Sequence, residues 1–248
     1  MRLGIPILAA SSVAVAAAAM YYATVAVRSQ WLGGTYWRGR RDTNAVALTF
    51  DDGPSPDTER ILDVLRTHEV CATFFMVGRE VESFPGIAQR VLAEGHEVGN
   101  HSYSHPFYLF QRAAETQAQI RRTQSVIAET IGVRPRIARP PYGVRTPAYF
   151  RATRALGLQT VQWDVAGFDW KRITPREIAD NVLRKARPGS IILLHDGDGD
   201  GKNARMNTVE ALSLIIRGLR DRDLQITPLS QLLPEKTDNL TKGKRIHD

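Results

Sequence analysis

The stretch Thr49-Phe50-Asp51-Asp52-Gly53-Pro54 decides how the rest of the chain is read. An apolar run at 45–48 delivers two adjacent carboxylates to a point where Gly53 and Pro54 stop a strand. Neighbouring side chains on an extended segment point to opposite faces. Both aspartates reach one cavity only if the second lies where the strand is already turning, which gives Asp51 and Asp52 different tasks. An isolated Asp-Asp-Gly-Pro is ordinarily turn chemistry with a solvated acid pair. What separates the two readings lies downstream.

Toward the N-terminus, an uncharged, alanine-rich run covers residues 3–27 between Arg2 and Arg28. Residues 1–28 read as a membrane-targeting segment, either a signal peptide or an uncleaved anchor. The run exceeds the usual signal-peptide core and is about long enough to span a bilayer, yet its alanines make it only moderately apolar. Small residues at Ala23-Thr24-Val25-Ala26 suit cleavage, while Arg38, Arg40 and Arg41 beyond Arg28 blur the positive-inside signal. The expected location is extracytoplasmic, secreted or membrane-anchored. Residues 29–43, with Gly33-Gly34, read as a linker, so a chain beginning near Arg41 is expected to fold and act. Residues 44–234 suffice for one α/β domain with a sizeable core, and 235–248 form a polar, frayed tail. The net charge of +7 is spread along the chain. It allows weak attraction to anionic surface polymers, and no nucleic-acid module is present. Cys71 is the sole cysteine, which excludes an internal disulfide and suits a small buried hydrophobe.

Strand candidates at 46–50, 72–77, 97–99, 136–138, 159–163, 190–194 and 225–227 alternate with helical stretches at 58–68, 85–94, 110–131, 147–156, 175–187 and 208–222. Thr174-Pro175-Arg176-Glu177 is a capping box with proline at the first helical position, and Thr146-Pro147 opens another helix similarly. The alternation predicts an α/β domain with a parallel sheet, a distorted (β/α) barrel of about seven strands. In a barrel the chemistry sits at the carboxyl ends of the strands. Reactive residues fall there: Asp51-Asp52, then 100–105, then 139–143, then Asp164 and Asp169-Trp170, then Leu193 to Asp196. Five such groups at five strand ends indicate a site.

His101 and His105 are four apart and share a face if the chain turns helically there. Joined by an aspartate from another strand end, they make a two-histidine, one-carboxylate set with open positions, suited to a hydrolytic divalent metal, zinc by default. The same set serves non-haem iron oxygenases, whose all-β barrels conflict with the alternation here. The run Asp196-Gly197-Asp198-Gly199-Asp200-Gly201 matches the start of a calcium loop. Its twelfth position is Asn207 where a bidentate glutamate is required, and a strand precedes it. It reads as a glycine-rich rim loop. His68, His96 and His247 lie outside these motifs and read as structural or surface residues, and Asp164 has no assigned role.

From 45 to 233 these residues resemble the polysaccharide deacetylases with the NodB-homology domain, carbohydrate esterase family four, and all five family motifs occur in order. The resemblance implies a distorted barrel of seven or so strands. It makes Asp51 the catalytic base and Asp52, His101 and His105 the metal ligands. It pairs Arg139 with the base, places Pro140 and Tyr142 in the groove with the Tyr142 amide at the oxyanion, and has Asp169 orient the catalytic histidine. Trp170 would line the groove, Leu193 would wall the acetyl methyl and His195 would be the general acid. The implied activity is metal-dependent removal of N-acetyl groups from N-acetylglucosamine-containing polysaccharide, chitin-like oligosaccharide or peptidoglycan, releasing acetate. The implied cofactor is a divalent ion, zinc first and cobalt, nickel or manganese next. The expected partners are an acetylated glycan polymer and, if the N-terminal segment is uncleaved, the membrane, with no nucleic acid and a monomeric chain. An O-acetyl xylan esterase with the same site and a catalytically silent glycan-binding domain are the alternatives.

Overall fold

The apolar run before the aspartate pair forms β1 (Ala45–Asp51), and every one of its residues is buried. A strand with no exposed face belongs inside a sheet covered on both sides. In the computed structural model, β7 (Ile191–His195) lies along residues 47–51 of β1. β2 (Thr73–Met76) pairs at 49–51 and β8 (Gln225–Ile226) at 45–46. Beyond β2 come β3 (Glu97–Asn100), β4 (Ile137–Ala138) and β5 (Gln159–Thr160), and beyond β7 comes β6 (Val165–Ala166). The path β5-β4-β3-β2-β1-β7-β6 is parallel throughout, with β8 attached to β1 off the path. The structure describes residues 4–198 and 204–234, and for 4–13 the backbone alone. The expected tail at 235–248, with His247, and Gly199 to Gly201 of the rim loop lie outside the described residues.

Chain length forces this sheet to curl. Its edge strands β5 and β6 are joined by residues 161–164 alone, and the five steps from Thr160 to Val165 reach at most about 18 Å. Seven strands laid flat would put the edges about 29 Å apart. The result is a curled half-barrel, as the strand pattern predicts. Residues 159–163, expected as one strand, do not form one. β5 ends at Thr160, Val161 bridges to Tyr36, and the chain restarts as the unpredicted β6.

Period-two alternation sorts the sheet. Val46, Leu48, Phe50, Phe74, Met76, Ile192 and Leu194 face the helical layer, where they meet Ile61 and Leu65 of α2 (Pro56–Thr67), Val91 of α4 (Pro85–Ala93) and Ile215 of α8 (Met206–Arg220). Ala45, Ala47, Phe75 and Ile191 face inward and pack with Leu229 and Leu232 of α9 (Leu229–Leu232). Above this plug the same inward rows continue as Thr49 and Asp51 on β1 and Leu193 and His195 on β7. The barrel floor is apolar and its mouth is chemical.

The remaining helices are α1 (Gly4–Val25), α3 (Gly78–Ser83), α5 (Ala113–Ile131), α6 (Pro147–Ala155) and α7 (Pro175–Leu183). The caps at Thr174 and Thr146 form as expected, each hydroxyl accepting a backbone N–H of the first turn. α2 begins earlier than expected, because Ser55 and Thr58 make a further reciprocal box around Pro56. Two short helices, α3 and α9, escaped the sequence reading, being too brief to show a 3.6-residue period.

Residues 29–43 are packed against the barrel. Tyr36 donates its N–H to Thr160 O (2.9 Å) and accepts from Gln162 N (2.7 Å), extending the sheet past β5. Gly39 N–H reaches Gly189 O at 2.8 Å, and Arg38 lies 3.6 Å from Asp164. A side chain at Gly33 would meet the Phe150 ring at 2.5 Å. Among the described residues no helix is long and apolar enough to cross a membrane.

Candidate metal centre and catalytic cleft

β1 ends by bending at Asp52, whose φ of +80° turns its side chain back over the barrel mouth where Asp51 already points. This is the turn that the paired carboxylates demand. Asp196 holds it in place: its Oδ1 accepts the Gly53 N–H at 3.0 Å, its Oδ2 accepts the Thr58 hydroxyl at 2.7 Å, and its own N–H reaches Asp51 O. Burial, the hydrogen-bond donors opposing it, raises the Asp196 carboxyl to about 7.

His101 follows β3 directly, and its Nδ1 lies 2.8 Å from the Arg139 carbonyl. A carbonyl only accepts, so Nδ1 carries the proton and Nε2 presents a lone pair. That lone pair faces Asp52 Oδ1 at 3.3 Å, and His105 Nε2 faces the same oxygen at 3.0 Å. The loop carrying the histidines is not helical. Ser102 and His105 both adopt positive φ, and Gln119 of α5 accepts the N–H groups of Tyr103 and Ser104. The spacing of four therefore works through a pinned bend and not through a helical face.

Asp52, His101 and His105 offer donor atoms that all lie within 4.8 Å of one another, and they fit a metal. Asp52 Oδ1 is buried and has no hydrogen-bond donor, so an electron-rich oxygen and an imidazole lone pair confront each other away from water. A cation reconciles them. Burial disfavours charge on both groups, yet the aspartates raise the His101 pKa and the two imidazoles hold Asp52 well below the usual carboxylate range.

Behind the three ligand candidates stand two further pairs. Arg139, wholly buried, donates to Asp51 Oδ1 at 2.7 Å and to Thr49 Oγ1 at 2.8 Å, and its other terminal nitrogen reaches Gln162 O. The guanidinium lies 4.1 Å from the centre of the Phe75 ring. On the neighbouring strand β7, His195 is held twice by Asp169 from the loop after β6, which accepts from Nδ1 at 2.8 Å and from the backbone N–H at 2.7 Å, while the Thr208 hydroxyl fixes the same carboxylate. Burial alone would lower the His195 pKa. Asp169, aided by Asp52 and Asp51, overrides burial and raises it to about 9. Asp51 and His195 are register partners across β1 and β7, so these two pairs stand side by side at the barrel mouth.

A cleft of about 350 Å³ opens over these groups. Asp51, Asp52, His101, His105, Tyr142, Trp170, Leu193 and His195 line it, as expected from the sequence. Arg139 and Asp169 stand behind it. Pro140 is buried at the head of the tight turn Pro141–Gly143 and does not reach the cleft. Tyr142 sits at the apex of that turn with φ +56°, its ring 4.5 Å from His105, and Trp170 packs edge-on against His195 at 5.3 Å. Gly143 of the 139–143 group and Asp198 of the rim loop also line the cleft, as do Trp163 and Arg205, which were missed. Trp163 closed an expected strand and was assigned no role. Gly143 is required by a φ of +69° and by Trp163, 2.8 Å from where its Cβ would lie. Asp164 sits at the opposite end of the barrel, accepting from Ile191 N–H at 2.9 Å and holding the start of β7. His68 bonds Ser213 and His96 accepts the Ala72 N–H, so both are structural, and Cys71 is half-buried.

A parallel half-barrel with an Asp-His-His cluster at its mouth, flanked by an arginine-held aspartate and an aspartate-held histidine, defines a class of metal-assisted hydrolases. The chain belongs to the polysaccharide deacetylase family, whose model matches residues 38–161. It is 40% identical over 202 residues to the chitooligosaccharide deacetylase of Bradyrhizobium sp. (strain ANU 289), covering 77% of this chain and 91% of that protein. It is 38% identical over 188 residues to a peptidoglycan-N-acetylglucosamine deacetylase of Bacillus cereus, covering 75% and 67%. Its fold superposes with a TM-score of 0.75 and 36% identity on the crystal structure of the Bc1960 peptidoglycan N-acetylglucosamine deacetylase in complex with 4-naphthalen-1-yl-N-oxidanyl-benzamide, over 80% of this chain and 92% of that one.

Proposed function

We propose that the cleft hydrolyses the acetamido group of N-acetylglucosamine units in a polymer, chitin-like oligosaccharide or peptidoglycan glycan, giving acetate and a free amine. The observation that carries this reading is the placement of Asp51 and His195 as cross-strand partners beside one cluster of ligand atoms. An amide is a poor electrophile with a poor leaving group, so its hydrolysis needs a base on water and an acid on nitrogen. Asp52, His101 and His105 would hold a divalent ion, zinc by the mixed nitrogen and carboxylate donor set. Bound there, the ion supplies Lewis acidity at the acetyl oxygen and a water of lowered pKa.

Asp51 accepts the proton of the attacking water, and Arg139 keeps that carboxylate ionised and aimed. As the water oxygen bonds to the acetyl carbon, the backbone N–H at Tyr142 supports the negative carbonyl oxygen. The C–N bond then breaks, and His195, charged through Asp169, delivers its proton to the departing nitrogen. Leu193 walls the acetyl methyl, while Trp163 and Trp170 face the sugar. Residues 1–28 take the domain across the membrane and are then removed or kept as an anchor, and the domain acts as a monomer. Fractionation of cells expressing the full chain should place it outside the cytoplasm.

Incubation with N-acetylglucosamine oligomers, peptidoglycan and acetylated xylan, following acetate and new primary amine together, tests the reaction. Equal yields of both from the first two substrates are expected. Acetate without amine, from xylan alone, would assign an O-acetyl esterase, and binding without acetate from any of them would assign a silent glycan-binding domain.

A further inference from the structure

The aromatic residues of the cleft continue beyond its rim. Tyr108 is buried against Tyr149, with ring centroids 5.5 Å apart, and joins the cluster of Ile120 and Phe150. This pins the short 3₁₀ turn Tyr108–Phe110 to the body of the domain. In that geometry residues three apart eclipse one another, so Phe107 and Phe110 share one face of the turn, their rings 5.3 Å apart. Phe107 in turn lies 5.6 Å from Tyr142, whose ring lies 4.5 Å from His105. The row runs from a ligand candidate outward, with exposures of 58% at Tyr142, 36% at Phe107 and 87% at Phe110.

Isolated exposed apolar side chains are ordinary, whereas a contiguous row joined to a functional cleft marks a binding surface. Phe110 belongs to none of the buried clusters, so core packing does not account for it. The cleft, about 350 Å³, is at the small end of ligand pockets. A polymer whose reacting sugar enters it must leave across the surface, and the row marks a path. We propose that Phe107 and Phe110 form a stacking platform, a subsite for a pyranose ring beyond the sugar that loses its acetyl group. The chemistry is suited: a pyranose has an apolar C–H face bounded by hydroxyls, and a phenyl ring offers a flat apolar surface at low conformational cost. This inference rests on the glycan reading above.

Phe110→Ala, Phe107→Ala and Phe110→Trp, assayed on N-acetylglucosamine dimer, tetramer and hexamer, test it. Both alanine changes should lower kcat/KM on the hexamer about tenfold, equivalent to about 1.4 kcal/mol, chiefly through KM, with a smaller loss on shorter chains. Phe110→Trp should keep the preference for long chains. Equal losses at every length, or no loss, would overturn the platform, as would an effect confined to self-association or vesicle binding. Calorimetric binding of the hexamer in an Asp51→Asn background separates the two readings. Hexamer binding weakened by Phe110→Ala, in a native protein that never releases acetate, would sink the reaction and leave the platform standing. A native protein that binds no hexamer would sink both.

Discussion

Asp51 and Asp52 are neighbours in sequence with separate environments: one is held by Arg139, the other by two imidazoles. Asp51→Asn should retain a bound divalent ion and lose roughly a hundred- to ten-thousand-fold in rate, whereas Asp52→Ala should lose the ion itself. Metal content and rate on both variants check this, and the reverse pattern would exchange the roles. His195 carries a pH prediction. Its pKa is raised to about 9, so its acid form prevails below that value and is lost as pH rises through it. A divalent ion neutralising Asp52 brings this alkaline limb below 9, and Asp169→Asn should move it lower still. The same shift makes the His195–Asp169 pair a stabilising contact that is complete below the ordinary histidine value, about 6.5, and gone once pH passes the folded value. A rate profile whose alkaline limb is unmoved in Asp169→Asn would remove His195 from the acid's role. Most of these residues were legible because ionisable side chains at strand ends stand out in a βα pattern. Trp163 and Arg205 were not, since an aromatic after a strand or an arginine before a helix has many uses and only the curl of the sheet brings them to the cleft.

At the scale of elements, the unexpected contribution is the segment before β1. Arg145, fully buried, donates its N–H to Thr24 O at 3.0 Å and its guanidinium to the carbonyls of Ala26, Val27 and Ser29. It thereby caps the outgoing end of α1 from the same loop that carries Tyr142. Arg145→Ala removes the three charge-assisted hydrogen bonds to the Ala26, Val27 and Ser29 carbonyls and opens a gap where a fully buried side chain stood, and should cost about 2–4 kcal/mol in a urea titration. A chain begun at Arg41 loses the Tyr36 bridge and the Arg38–Asp164 pair. It should melt below one begun at Ser29; equal melting would show that the packed segment contributes nothing. Sequence could not show this, because glycines and scattered arginines look the same in a loose linker and in a strap laid on a surface. The long strands and capped helices were readable from periodicity and from Thr146 and Thr174. β6, two residues long, has no period to read and is fixed only by its partner β7.

As a whole molecule, the curled sheet explains why five separate stretches meet. Two edge strands tied by residues 161–164 leave no flat solution, and curling brings the carboxyl ends of β1, β3, β4, β6 and β7 around one mouth. The apolar floor of Ala47, Phe75 and Ile191 keeps water from entering beneath, so the charged groups act in a medium where their pairing is strong. The claim that this arrangement makes a metal-dependent N-deacetylase is tested most directly by acetate release from N-acetylglucosamine hexamer, followed through chelation and zinc restoration. Acetate should appear with an equal amount of amine, stop when the protein is stripped of metal and return with zinc. Undiminished release from protein verified to be metal-free would contradict it.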